Sequence, residues 1–228
     1  MIKTVWFDLD DTLLDFRAAE STALRKAFQT LNIPCGDAVL QRYRTLNEQQ
    51  WRLLEQGKLT MPQVLVRRFE LLFEELGICR NTEETCEAYE RCLAEGHSFI
   101  PGAPEVLEQL AFRYDLYLAT NGTAQVQRSR LNSAGIRHWF QEIFISEEVG
   151  ADKPSSAFFT RCFAAVSGFD PASAIMVGDS LTSDIRGGQN AGIHTCWFNF
   201  RRRPARPDIL PDHTVYDLRE LPALLERL

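Results

Sequence analysis

Nowhere does this sequence of 228 residues carry an apolar run long enough to cross a bilayer, so no membrane span is expected. Its first apolar stretch, Met1–Phe7, meets acids at once and is too short for a secretory signal, which makes the cytoplasm the expected location. An excess of positive charge is also missing. The formal net charge of −6 argues against nucleic acid or an anionic membrane as the main partner. The six cysteines, Cys35, Cys79, Cys86, Cys92, Cys162 and Cys196, contain no C-x-x-C pair. A zinc or dithiol site is therefore not expected, and the thiols are expected to be reduced and mostly buried. Internal repeats and low-complexity segments are absent as well. What remains is a chain 45% apolar, enough for a sizeable core, and long enough for one large domain or a core plus an insertion.

Short β-branched or aromatic runs at Thr4–Phe7, Leu116–Ala119, Glu142–Ile145, Ala174–Val177 and His194–Phe198 predict strands, with a weaker one near Thr214–Tyr216. Most are continuously apolar, as befits strands covered on both faces. Helical patterns over Thr123–Ala134, Ser155–Val166 and Thr182–Ala191 each stop at or near a glycine. This alternation predicts a doubly wound parallel α/β sheet. Between the first two strands, Asp15 to Gly96 shows no strand signal and predicts four helices. The first carries Leu24, Ala27, Phe28 and Leu31 on one face. The third opens on a Thr60–Gln63 capping box and continues with Met61, Leu65, Phe69, Leu72 and Leu76 on one stripe. The fourth begins at Thr82, with Glu83 and Glu84 in its first turn. So long a stretch is no simple loop. The expected division is an α/β core at 1–14 and 97–228 with a helical subdomain at 15–96.

Ligands of parallel α/β sheets bind beyond the carboxyl ends of the strands. There the sequence places Asp8-Leu9-Asp10-Asp11-Thr12, then Thr120-Asn121-Gly122, then Lys153-Pro154, then Gly178-Asp179-Ser180 running on to Asp184. Clustered carboxylates repel one another unless a cation neutralises them. All-oxygen donors suit Mg²⁺, which shares its sphere with water and a substrate phosphate. A lysine, a threonine hydroxyl and backbone N–H groups suit phosphate oxygens. A carboxylate can attack phosphorus, and a second one two residues on can serve as general acid and base.

These four motifs, in this order, resemble those of the haloacid dehalogenase superfamily, and the resemblance covers nearly the whole chain. It implies Asp8 as nucleophile and metal ligand. It implies Asp10 as general acid/base, with its backbone carbonyl on the metal. Thr120, with Asn121 and Gly122, would hold the phosphoryl group, and Lys153 would steady both Asp8 and that group. Asp179 would bind Mg²⁺, and Asp184 would support the metal directly or through water. An acid at position 10 implies phosphoester hydrolysis, since the superfamily's dehalogenases lack it. Asp11 stands where many relatives have glycine. The helical insertion resembles a cap that closes over the site and chooses the substrate. The longer strings, Ala119-Thr120-Asn121-Gly122 and Gly178-Asp179-Ser180-Leu181-Thr182-Ser183-Asp184 among them, resemble a branch of bacterial nucleotidases acting on pyrimidine nucleoside 5′-monophosphates. The expected partner is thus a small phosphorylated metabolite, and the expected assembly a monomer or small homo-oligomer.

The same motifs permit a phosphoglycolate- or sugar-phosphate-type phosphatase, or, in another class, a non-enzymatic binding protein on the same scaffold. Asp184 also admits a plain role as a helix-start acid. The run Arg201-Arg202-Arg203 with Arg206 follows a strand, and a solvated loop is the expectation for it. The aromatics Phe28, Tyr43, Trp51, Phe69, Phe73 and Tyr89 sit at helical spacing and are expected mostly in a core.

Overall fold

The computed structural model describes all 228 residues, which divide into two compact units. After strand β1 (Thr4–Phe7) the chain enters a helical unit of α1 (Phe16–Thr30), α2 (Asp37–Glu55), α3 (Met61–Leu76) and α4 (Thr82–Leu93). Gln125–Arg130 cluster with this unit, and the rest of the chain forms the sheet unit.

After the helical stretch, α5 (Ala103–Ala111) leads to β2 (Asp115–Thr120), α6 (Ala124–Ala134, which includes Gln125–Arg130), β3 (Glu142–Ile145) and the single turn α7 (Ser146–Val149). Then come α8 (Ser156–Ala164), β4 (Ala174–Gly178), α9 (Arg186–Ala191), β5 (His194–Phe198), β6 (His213–Val215) and α10 (Leu221–Leu225). The six strands run parallel in the order β3-β2-β1-β4-β5-β6. Every expected strand is present, with ends within a residue or two of the sequence pattern, the normal spread of such boundaries. Both faces are covered. Val5 and Phe7 point into one apolar cluster with α5, while Trp6 points into another with Tyr117, Phe144 and Phe158. That double burial is why the strands read as continuous apolar runs rather than alternating ones.

The expected helix over Thr182–Ala191 opens differently. Its first turn, Leu181–Ile185, is π-helical, with the Ile185 N–H donating to Ser180 O at 3.1 Å. The extra residue in that turn stands beside the acid cluster, a common place for such bulges.

The helical unit has its own core of Leu24, Ala27, Phe28, Tyr43, Phe69, Leu72, Phe73 and Tyr89. Five of the six aromatics expected in a core are buried, and Trp51 is half-buried. The stripe of α3 differs from expectation. It buries Val64, Arg68, Phe69, Leu72 and Phe73, while Leu76 is exposed. Arg68 can be buried because its guanidinium lies 4.9 Å from the Tyr89 ring centre and donates to Asn47 Oδ1 at 3.2 Å. Asn47 in turn donates to buried Glu20 at 3.0 Å, which also accepts from Arg44 at 3.0 Å. The cysteines are all free. Cys86, Cys162 and Cys196 are buried, whereas Cys79 is exposed.

Candidate active site

β1 lies between β2 and β4, so the chain reverses its direction of sheet growth between β1 and β4, where α/β sheets open a crevice. Phe7 pairs with Val177, and the Asp8 N–H extends that ladder to Val177 O at 2.9 Å. Asp8 and Gly178-Asp179 therefore emerge side by side. Beyond Asp8 the chain turns tightly, with Leu9 O accepting from the N–H groups of Leu13 at 2.9 Å and Leu14 at 3.0 Å. Asp11 sits in that turn at φ 57°, a left-handed conformation that aspartate tolerates better than most residues. Half-buried Asp10 forms a bridge with Leu14.

Lys153 comes from the segment before α8 and is 1% exposed. Its ammonium donates to Asp8 Oδ1 at 2.7 Å, Asp184 Oδ1 at 2.6 Å and Ala119 O at 2.7 Å, which uses all three of its protons. Asn121 holds the lysine's backbone from both sides, accepting from Lys153 N at 2.9 Å and donating to Lys153 O at 3.0 Å. Buried Thr120 ends β2 beside it. The Gly122 N–H donates to Ser146 Oγ at 3.2 Å. The second oxygen of Asp184 accepts from the Ser180 N–H at 3.0 Å. Asp184 is thus an ion-paired member of the cluster and more than a helix-start acid. Any Cβ at Gly178 would run into the Asp184 carboxylate, which fixes glycine at the end of β4.

Carboxylate oxygens of Asp8, Asp179 and Asp184 lie within 4.8 Å of one another. Burial pushes the Asp8 carboxyl up to about 7, against the pull of Lys153, and the charges of Asp184 and Asp10 add to the rise. Burial likewise drives Asp179 well above the usual carboxylate range, opposed by Arg203 and reinforced by Asp11, Asp184 and Asp8. Burial works against the Lys153 charge too, but Asp184 and Asp8 outweigh it and its pKa rises. The cluster is short of positive charge. Its hard, all-oxygen donor set fits a small divalent cation, which would favour the ionised acids. Asp10, expected to offer its backbone carbonyl, adds no side-chain oxygen to this group.

Several contributors were not singled out from sequence. The Thr12 hydroxyl donates to Asp8 Oδ2 at 3.3 Å and accepts from the Asp179 N–H at 3.1 Å, joining the first and fourth motifs. Its place directly after the acids was the available signal. The arginine run is a correction in part. Arg202, Arg203 and Arg206 are exposed, as expected of a solvated loop, but Arg201 is half-buried and pairs with Asp11 at 3.0 Å and Asp15 at 3.6 Å, and Arg203 pairs with Asp179 at 3.2 Å. No helix is long and apolar enough to cross a membrane.

Residues 5–198 match the family model for haloacid dehalogenase-like hydrolases. A protein named HAD-hydrolase YfnB from Bacillus subtilis (strain 168) is 40% identical over 219 residues, covering 96% of this chain and 93% of its own. Its magnesium-bound crystal structure, described as revealing interdomain movement, matches with a TM-score of 0.94 over 98% of both chains. Pyrimidine 5′-nucleotidase PynA from Streptococcus pneumoniae is 35% identical over 226 residues, 99% of this chain and 95% of that one. Pyrimidine 5′-nucleotidase YjjG from Escherichia coli is 34% identical over 221 residues, 97% and 96%. With the four motifs gathered on one edge of a parallel sheet and the family model matching most of its length, this chain belongs to the haloacid dehalogenase-like hydrolases.

Proposed function

We propose that this enzyme is a magnesium-dependent phosphomonoesterase whose substrates are pyrimidine nucleoside 5′-monophosphates. The observation that carries the reaction type is the buried ammonium of Lys153 set between Asp8 and Asp184, with Asp179 in the same carboxylate cluster. The relatives PynA and YjjG support the substrate class. Asp8, Asp179 and Asp184, with the Asp10 backbone carbonyl, would hold the ion, which when bound supplies positive charge to a phosphate oxygen.

An Asp8 carboxylate oxygen attacks phosphorus, the ester P–O bond breaks, and Asp10 gives its proton to the departing alkoxide. Asp10, now ionised, takes a proton from water as that water attacks the aspartyl phosphate. Inorganic phosphate leaves and Asp8 is regenerated. Lys153 fixes the orientation of the Asp8 carboxylate and keeps positive charge beside the phosphoryl group throughout. The Thr120 hydroxyl contacts that group, while Asn121 acts by holding the Lys153 backbone in place. In this reading the core, 1–14 and 97–228, performs the chemistry, and the helical stretch 15–96 chooses the leaving alcohol.

Freshly prepared Asp8→Asn protein should keep its fold by circular dichroism and lose turnover with magnesium present. Full activity in that variant, or in excess chelator, would remove the mechanism. On a phosphomonoester panel, UMP, dUMP and dTMP should give the highest kcat/KM. Faster turnover of phosphoglycolate or sugar phosphates would replace the substrate class, and no turnover of any ester would return the chain to a binding role.

A further inference from the structure

Two sequence features stand outside the proposed reaction: an aspartate in the left-handed position 11, and the arginine run after β5. The structure joins them. The loop is built rather than slack. Buried Asn199 accepts from the Arg203 N–H at 2.7 Å and donates to Arg203 O at 2.9 Å, and the Arg202 N–H donates to Asn199 O at 3.0 Å. The three arginines then diverge. Arg202 lies 4.1 Å from the Tyr216 ring centre, away from the acids. Arg201 is fixed, stacked 4.4 Å from the Phe200 ring centre and paired to Asp11 and Asp15, with its side chain 23% exposed. Arg203 is the more exposed one. Its side chain is 40% exposed, and its guanidinium reaches Asp179 Oδ2 at 3.2 Å and Asp11 Oδ2 at 4.0 Å.

Asp179 is thus shared between a guanidinium and the site into which Asp8 and Asp184 also point. A divalent ion ligated by Asp179 and a cation paired to the same carboxylate repel each other, and a half-exposed side chain can yield to solvent at little cost. We infer that Arg203 is a resident counter-cation of the metal site: it neutralises Asp179 when no divalent ion is bound and competes with the ion for that carboxylate. The Asp11–Arg201 pair fixes the loop that presents it. Metal affinity is then set below what the acids alone would give, and the metal-free cluster is less self-repelling.

This inference rests on the proposed magnesium site, and calorimetric titration of magnesium chloride into the metal-free protein separates the two. Arg203→Gln should bind magnesium about 5-fold more tightly than the unsubstituted chain, the scale of one partly exposed ion pair. Arg202→Gln removes the same charge from the same loop and should leave the affinity unchanged. An unchanged or weaker affinity in Arg203→Gln, or equal tightening in both variants, would overturn the inference while leaving the metal site intact. Failure of the unsubstituted chain to take up magnesium would overturn the metal site itself.

Discussion

Replacing Lys153 by methionine should be among the most damaging single changes in the sheet unit. The side chain is 1% exposed, and its three protons go to Asp8, Asp184 and the Ala119 carbonyl at 2.6 to 2.7 Å. Methionine fills much of the volume but leaves two carboxylates and a carbonyl buried without their donor. Removing one partner of a buried ion pair costs about 3–5 kcal/mol, and for a chain of this size that corresponds to roughly 6–20 °C in melting temperature. The loss should also depend on pH. Without the ammonium, Asp8 resists ionisation more strongly, so its folded pKa rises further above the unfolded one. Groups shifted that way stabilise the fold at low pH and lose that contribution as pH rises. The defect should therefore be larger near neutrality than in mild acid. Urea denaturation in chelator at two pH values measures it, and the double variant with Asp184→Asn should recover about 1–3 kcal/mol of coupling. A lysine merely capping a surface helix would change stability by about 0.5 kcal/mol or less. A loss of that size, or one independent of pH, would refute the buried-pair reasoning.

Gly178→Ala should cost roughly 1–3 kcal/mol in urea denaturation, since its Cβ collides with the Asp184 carboxylate and something must shift. It should also weaken magnesium uptake by calorimetry, because the carboxylate that shifts belongs to the cluster. A third prediction follows from the Asp8 carboxyl, raised from its ordinary value of 3.8 to about 7. Its ionisation destabilises the metal-free fold as pH rises through 7, and a bound cation needs the ionised form. The gain in melting temperature on adding magnesium should therefore grow with pH through about 7 and level off above it. A gain that is flat across that range would contradict the assignment of Asp8 as a ligand.

The strands and the catalytic edge were legible because burial on both faces writes each strand as an unbroken apolar run, and the acids stop those runs abruptly. Asp8 after Phe7 and Asp179 after Gly178 needed only the rule that parallel strands bind ligands at their carboxyl ends. The pairing of Arg201 with Asp11 was not legible, because those residues lie 190 positions apart and meet only once the β5 loop has its shape. The same holds for Arg68. On the α3 helix alone it is a charge interrupting an apolar stripe, and only partners from α2 and α4, the Tyr43 and Tyr89 rings with the Asn47 and Glu90 side chains, make its burial tolerable. The two-way clamp of Asn121 on Lys153 was hidden for a related reason, since a side chain next to a phosphate motif reads as a ligand before it reads as a brace. The π-turn before α9 carries no signal in local periodicity, because one inserted residue per turn is set by what the acid at 184 must reach.

The central position of β1 bears on how the enzyme fails. In a six-stranded sheet of this order, two strands shield β1 on one side and three on the other. Fraying starts at the open rims, β3 and β6, and each lost ribbon leaves the next one exposed. The amides of Val5 to Phe7 should thus be the last to exchange with deuterium, at the rate of global opening. Damage at the rims would thin the population of intact molecules well before it altered the chemistry of those that survive.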